Sequence, residues 1–209
     1  MSERPLLVLA TQNPGKVREL TVVLGDHFTV APRPADLAET IEDGDTLVAN
    51  SMKKAAEVAD HTGAMALADD TGLFVNALGG RPGVHSARYA GPDGDSEANR
   101  AKMLSELDGI TDRRAYFETI IVVRFGPSPP SWPELPEPLR RGVPVIGWGR
   151  VNGTITDEPR GEGGFGYDPI FQPDEGSGAT FGEMSLADKQ AISHRGRALV
   201  DMQRILGLR

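Results

Sequence analysis

Residues 11–16, Thr-Gln-Asn-Pro-Gly-Lys, follow an apolar run at 6–9 and precede a helical pattern. The first turn of a helix carries free backbone N–H groups and the positive end of the helix dipole, so it can bind an anion. Thr11, Asn13 and the turn amides could therefore hold phosphate oxygens, with Lys16 neutralising charge. A capped helix with a solvated lysine fits the same residues. The Walker spacing is absent, which disfavours a P-loop kinase or GTPase.

A second chemical segment is Ala68-Asp69-Asp70-Thr71-Gly72, which follows the apolar run 64–68. We expect the strand to end at the acidic pair, at the sheet edge where α/β proteins bind ligands. Successive strand residues point in opposite directions, so the two carboxylates should differ in role. One could bind Mg²⁺ or accept a proton from an attacking water. The alternative is an ordinary acidic turn, because this sequence also favours turns.

Two later segments could recognise a flat ligand. In Gly163–Pro169, three glycines surround an aromatic side chain, and Phe165 could stack on a planar group; the alternative is a loop with Phe165 simply buried. In Ser193–Arg197, His194 and Arg195 could donate to the keto edge of a base; the alternative is a solvated polar face. Taken together, the four segments describe a pocket for a nucleoside triphosphate.

The elements that must position these residues follow an alternating pattern of strands and helices, which predicts an α/β fold with a partly parallel sheet. Helix caps are expected at Asn13 and at Ser185, the latter with Asp188 as a capping box, and Gly63 is expected to end the second helix. The sequence also predicts a helix at 13–25, a helix at 46–62, a helix at 96–107, a strand at 115–125, a hairpin at 145–156 turning at Asn152-Gly153, and one final helix at 186–206.

Length and composition limit the classes of protein. The 209 residues suit one domain, 1–209, built as two closely joined lobes, and the absence of cysteine fits a reducing cytoplasm. The net charge of −8 argues against a nucleic-acid partner. No long apolar run or leader is present, so we expect neither a membrane partner nor export. The proline-rich stretch 126–144 is interpreted as a surface insert.

The chain resembles the inosine triphosphate pyrophosphatases, also called non-canonical purine NTP pyrophosphatases or dITP/XTP pyrophosphatases. The resemblance lies in five segments that occur in family order and span nearly the whole chain: LATQNPGKVREL, ANSMKKA, LADDTGLFVNALGGRPGVHSARYAG, GEGGFGYDPIF and KQAISHRGRAL. It implies an elongated mixed β-sheet flanked by helices, with a nucleotide cleft between two lobes, and a homodimer. It further implies Mg²⁺-dependent hydrolysis of ITP, dITP and XTP to the monophosphate and pyrophosphate, which cleanses the nucleotide pool.

The resemblance also implies roles for individual residues. Asp70 matches the acid assigned as proton acceptor and metal ligand, and Glu42 matches a second metal carboxylate. Lys16 and Lys54 match residues that act on the phosphates. The implied substrate-binding positions are Thr11, Gln12, Asn13, Pro14, Gly15, Lys16, Thr71, Phe165, Gly166, Tyr167, Asp168, Lys189, His194 and Arg195. The chain departs from the family at Ala49, where a glutamate usually precedes the asparagine, and in the length of the insert.

Two other functions remain open at this stage. One is a pyrophosphatase of related fold acting on dTTP or UTP, which the pairing of the FGYDP and SHRG segments argues against. The other is a non-catalytic nucleotide-binding protein, which the Asp69-Asp70 pair argues against. For the favoured reaction we expect water to attack the α-phosphorus directly, with Asp70 accepting its proton.

Overall fold

The computed structural model describes residues 4–126, 139 and 141–208. Most of the predicted surface insert at 126–144, namely residues 127–138 and 140, lies outside the described residues. No helix in the described part of the chain combines the length and the apolar character needed to cross a membrane.

The order of helices and strands along the chain alternates for much of its length. The elements are β1 (Leu6–Leu9), α1 (Pro14–Leu24), β2 (Thr29–Ala31), α2 (Leu47–Thr62), β3 (Met65–Val75), β4 (Pro82–Gly83), α3 (Ser96–Glu106), β5 (Arg114–Arg124), β6 (Val145–Ile155), β7 (Phe171–Pro173), α4 (Leu186–Ile192) and α5 (His194–Ile205).

The strands form one mixed sheet in the order β2-β1-β3-β5-β6-β7, with β4 paired to β3. Strand β1 is parallel to β2 and β3, whereas the β3–β4 and β6–β7 pairs are antiparallel. The predicted α/β class is confirmed.

The chain divides into two compact units, each assembled from separate stretches. The first unit comprises Met1–Asp70, Ile120–Trp148 and Ala198–Arg209, and the second comprises Thr71–Thr119 and Gly149–Arg197. Each unit has its own hydrophobic core. The core of the first includes Leu20, Leu24, Phe28, Met65 and Met202, and the core of the second includes Leu73, Met103, Phe117, Phe171 and Phe181.

Local capping explains where the first two helices begin and end. The Asn13 side-chain oxygen accepts the N–H groups of Gly15 and Lys16 at 2.9 and 3.2 Å, which satisfies donors that have no partner within the helix. Thr46 caps α2, and Gly63 ends it with φ 67°, a conformation that glycine adopts without strain. The predicted cap at Asn13 and the predicted helix end at Gly63 are confirmed.

The expectation that a strand ends at Asp69-Asp70 is wrong, and so is the alternative of an acidic turn. Strand β3 continues through both residues to Val75. The pair can remain buried within an extended strand because each carboxylate has a lysine partner: Lys16 lies 3.1 Å from Asp69, and Lys54 lies 3.0 Å from Asp70. Ion pairing from distant elements therefore overrides the local preference for a turn.

The predicted hairpin at 145–156 is also wrong, because β6 is one continuous strand over those residues. Its burial alternates along its whole length, which is the pattern of a strand with one face inward. Gly153 lies opposite Pro173, and a Cβ atom there would lie 2.4 Å from the Gln172 carbonyl oxygen. The glycine thus allows the close approach of β7, not a tight turn.

The single final helix is likewise corrected to two helices, α4 and α5, separated at Ser193. Ser193 is extended (φ −72°, ψ 159°), and its hydroxyl oxygen accepts the Gly196 N–H at 3.1 Å, so it caps α5. The cap at Ser185 is confirmed, since its hydroxyl oxygen accepts the Asp188 N–H at 3.1 Å, and the hydroxyl itself donates to the Asp188 carboxylate at 2.6 Å. The break places His194 and Arg195 in the first turn of a new helix.

Candidate active site

Five charged residues of the first unit form what we call the acidic–lysine cluster: Lys16, Glu42, Lys54, Asp69 and Asp70. Its centre is the Lys54 ammonium group. Nζ lies 2.8 Å from Glu42 Oε1 and 3.0 Å from Asp70 Oδ1, and it donates to the Asp69 carbonyl oxygen at 2.9 Å. Lys16 Nζ lies 3.1 Å from Asp69 Oδ2. Four residues predicted for catalysis or metal binding are therefore brought together, with Asp69 beside them.

Separate elements supply these side chains. The first turn of α1 provides Lys16, α2 provides Lys54, and the segment between β2 and α2 provides Glu42. The carboxylates of Asp69 and Asp70 pair with different lysines, Lys16 and Lys54, as the alternation of side chains along a strand predicts. Lys16 is consequently not the solvated lysine of the alternative interpretation, since its side chain is only 16% exposed.

Charge and burial shift the protonation equilibria of this cluster. Two ammonium groups lie among three carboxylates. Burial raises the pKa of the Asp70 carboxyl above its usual value, although Lys54 and Lys16 oppose the shift. Burial alone would lower the pKa of Lys54, but Asp70, Glu42 and Asp69 raise it, so that Lys54 stays charged. Asp70 is thus a carboxylate with increased proton affinity beside fixed cations.

The cluster also fits a divalent cation. Glu42 and Asp70 direct one oxygen each at the same ammonium group, so their carboxylates converge on a position that accepts positive charge. No group of three or more His, Cys, Asp or Glu residues that could hold a metal occurs in the described residues. Mg²⁺ typically uses one or two carboxylates, with waters and substrate phosphates completing its octahedron. Glu42 and Asp70 match that donor set.

The turn at 11–16 has the geometry of a capped helix start. The Asn13 side chain serves as the cap, and the Thr11 hydroxyl oxygen accepts the Asn13 N–H at 3.2 Å. Gln12, Asn13 and Pro14 are exposed, whereas Thr11, Gly15 and Lys16 are half-buried. The capping interpretation is confirmed. The proposed contacts of this turn with phosphate stay a prediction.

The second unit contains a different cluster, the aromatic–arginine cluster: Thr71, Phe165, Asp168, Lys189, His194 and Arg195. Asp168 Oδ2 accepts from Lys189 Nζ and from the Phe165 N–H, both at 2.7 Å. Gly164 permits this arrangement, because its φ is +71° and a Cβ atom there would lie 2.1 Å from Asp168 Oδ2. Gly164 therefore lets the loop close around a buried carboxylate.

Cations surround the ring of Phe165, which is half-buried. Lys189 Nζ lies 4.8 Å and the Arg195 guanidinium 5.4 Å from the ring centroid, within the range of cation–π attraction. Arg195 is only 2% exposed and donates to the Thr71 hydroxyl at 3.1 Å. His194 is also buried, and its ring stacks on Phe117 at 4.5 Å. The alternatives of a solvated polar face and of a simply buried Phe165 are both wrong.

Two other predicted positions serve contacts within the second unit. The Tyr167 side chain is buried, and its hydroxyl donates to the Ser86 carbonyl oxygen at 2.9 Å. The Gly166 carbonyl oxygen accepts from Arg100 at 2.7 Å. These contacts fix the FGYDP loop from behind, and substrate contact by either residue stays a prediction.

Sequence reasoning missed several residues that hold the site residues in place. Thr119 lies 2.6 Å from the Thr71 hydroxyl oxygen, and the Asn50 amide donates to Asp70 at 3.3 Å. The sequence could have indicated Asn50, because it precedes Lys54 by four residues and therefore lies on the same face of the helix. Thr119, Ser86 and Arg100 had none, since their partners are distant in sequence.

The fold and these clusters define an α/β protein that carries a cluster of lysine and acidic side chains in its first unit and a largely buried cluster of aromatic and basic side chains in its second unit. Comparison with known proteins agrees: the profile of the Ham1 family matches residues 7–205. Relatives named dITP/XTP pyrophosphatase are 45% identical in Syntrophobacter fumaroxidans and in Geobacter sulfurreducens. The matches cover 97% and 96% of this chain and 82% and 96% of theirs.

Solved structures lead to the same family. A HAM1 protein from Coxiella burnetii is 36% identical with a TM-score of 0.81, covering 97% of this chain and 98% of that one. A nucleoside-triphosphatase or dITP/XTP pyrophosphatase from Mycobacterium abscessus is 37% identical with a TM-score of 0.69, covering 93% and 97%. This chain belongs to the Ham1 family, and the resemblance expected from its sequence is confirmed.

Proposed function

We propose that this protein hydrolyses non-canonical purine nucleoside triphosphates (ITP, dITP and XTP) to the monophosphate and pyrophosphate. The names of its relatives support the substrate class. The observation that carries the reaction is Asp70: a buried carboxylate of raised pKa, in contact with Lys54. Such a group can accept a proton from water while neighbouring cations bind phosphate.

In this mechanism four residues of the acidic–lysine cluster act on the water, the phosphates or the metal. Asp70 accepts the proton of the water that attacks the α-phosphorus. Lys16 and Lys54 offset the charge that develops on the departing pyrophosphate. Glu42 and Asp70 would hold a Mg²⁺ ion, which when bound supplies polarisation of phosphate oxygens. The turn formed by Thr11, Gln12, Asn13, Pro14 and Gly15 would hold the triphosphate through its hydroxyl, amide and backbone groups.

The aromatic–arginine cluster would select the base. Phe165 would stack on the purine, and Lys189, His194 and Arg195 would donate to its 6-keto oxygen, with Thr71, Gly166, Tyr167 and Asp168 completing the contacts. Adenine presents an amino donor at that position, which would face the donor groups of the cluster instead of an acceptor. Sites of this kind reject the wrong ligand by about 10⁴–10⁵.

We also propose that the enzyme acts as a homodimer in the cytoplasm, where it cleanses the nucleotide pool. The family resemblance supports the dimer, and the absence of cysteine fits a reducing compartment. Sedimentation analysis should give twice the chain mass of 22.4 kDa.

The proposal is tested by measuring pyrophosphate release from ITP, dITP, XTP, GTP, ATP, dTTP and UTP, with and without Mg²⁺. We expect release from ITP, dITP and XTP alone, and only with the metal. Preference for dTTP or UTP would overturn the assignment of the base site. Tight binding of ITP without any release would instead indicate a nucleotide-binding protein.

A further inference from the structure

Asn50 connects two parts of the first unit that carry acidic side chains. It lies on the buried face of α2, is 2% exposed, and precedes Lys54 by one helical turn. Its side-chain oxygen accepts the Gly44 N–H at 2.9 Å, and its amide nitrogen donates to Asp70 Oδ2 at 3.3 Å. One side chain thus bridges the segment before α2 and strand β3.

The orientation of this amide is determined by its partners. A backbone N–H can only donate, so the Asn50 oxygen must face Gly44 and the NH₂ group must face Asp70. The backbone of residue 44 approaches closely, since a Cβ atom there would lie 2.7 Å from the Asn50 oxygen. Aspartate at position 50 would direct a second acceptor at Asp70, and leucine would offer neither group.

Both acidic side chains that converge on Lys54 depend on this bridge. Gly44 follows Glu42 by two residues, so its hydrogen bond to Asn50 fastens the segment that carries Glu42. With Oδ2 bound by Asn50, Asp70 presents Oδ1 to Lys54 at 3.0 Å, and Lys54 in turn lies 2.8 Å from Glu42. The separation of the two carboxylates is therefore governed by an amide that contacts neither the ammonium group nor the proposed phosphate-binding turn.

We propose that Asn50 is a positioning residue that sets the two carboxylates, Glu42 and Asp70, around one cation position. This inference rests on the proposed function for its consequence in catalysis, but its structural content is independent of turnover. Residues that orient metal ligands typically change metal affinity or activity about 10- to 100-fold when they are replaced.

The test compares Asn50→Leu and Asn50→Asp with Ser51→Ala. Ser51 is a matched control, because it is the next residue of α2, is fully buried, and donates to the Ile120 carbonyl oxygen without touching the cluster. For dITP we expect both Asn50 variants to lose about 10- to 100-fold in kcat, with a smaller change in KM and a higher Mg²⁺ concentration for half-maximal activity. Ser51→Ala should lower Tm and leave these constants near the wild-type values.

A second readout is amide hydrogen exchange in the metal-free protein. We expect the Gly44 amide to exchange faster in Asn50→Leu than in Ser51→Ala, because leucine removes its acceptor. Asn50→Asp keeps an oxygen acceptor for Gly44, so its expected effect is on kcat and on the Mg²⁺ dependence. Wild-type kcat, Mg²⁺ dependence and Gly44 exchange in a folded Asn50 variant would overturn the inference. If Asn50→Leu does not fold, the kcat and the Mg²⁺ dependence of Asn50→Asp, whose side chain has the same size as asparagine, decide whether Asn50 positions the carboxylates. If wild-type protein releases no pyrophosphate, the proposed function fails, while the exchange of Gly44 still decides the role of Asn50.

Discussion

The two clusters combine charged side chains with different neighbours. In the acidic–lysine cluster two ammonium groups lie among three carboxylates. In the aromatic–arginine cluster the Asp168 carboxylate is paired with Lys189, and the Arg195 guanidinium donates to a neutral hydroxyl beside an aromatic ring. This difference supports the proposal that the first unit carries the phosphate chemistry and the second unit selects the base.

Among the substitutions considered, Asp70→Asn should lower the turnover of dITP most. The amide cannot accept the proton of the attacking water, so we expect kcat for dITP to fall about 10²–10⁴-fold while dITP binding, measured calorimetrically, is retained. Asp69→Asn is the matched control, because it changes the neighbouring carboxylate, which contacts Lys16. An equal loss in both variants would contradict a specific role for Asp70.

Phe165→Ala should have an intermediate effect, confined to binding. Stacking of a base on an aromatic ring contributes about 1–3 kcal/mol, so we expect KM for dITP to rise about 10- to 100-fold with little change in kcat. Phe165→Tyr keeps the ring and should keep KM. An unchanged KM in Phe165→Ala would contradict stacking of the base on Phe165. A loss confined to kcat would indicate that Phe165 affects the chemical step and not binding.

Ser193→Ala should have the smallest effect. Loss of the cap on α5 costs about 1 kcal/mol, which corresponds to roughly 2–4 °C in Tm. Ser185→Ala, which removes the cap of α4, should lower Tm similarly. Because only Ser193 directly precedes His194 and Arg195, KM for dITP should rise in Ser193→Ala alone. The same KM in both variants would show that the break between the helices does not position the base site.

The parts of the fold that could be predicted from sequence are those determined by near neighbours. Asn13 caps its helix through atoms two or three residues away, and the cap at Ser185 is equally local. Residue type alone marked three sets of residues as candidates for function: Asp69-Asp70, Phe165 and the segment 193–195. The structure shows that these residues are buried or half-buried.

Two of the errors arose where distant residues decide the local conformation. The acidic pair has the sequence of a turn, but Lys16 and Lys54 neutralise it within a strand. Asn152-Gly153 has the sequence of a hairpin turn, but the segment pairs with β7. In these two cases propensity was overridden by contacts that a local pattern does not contain. The third error was local: the apolar spacing over 186–206 continues past Ser193, whose hydroxyl caps a new helix.

The proposed division of roles between the two clusters predicts how the ratio of kcat/KM for dITP to kcat/KM for dATP responds to substitution. This ratio is measured in wild-type protein, Lys54→Met and Arg195→Ala. Thermal melting first verifies that each variant is folded. Lys54→Met should lower both constants and leave the ratio unchanged, because both substrates carry the same triphosphate. Arg195→Ala should lower the constant for dITP far more, so that the ratio collapses. A ratio that falls in Lys54→Met and survives in Arg195→Ala would contradict the division between the two clusters.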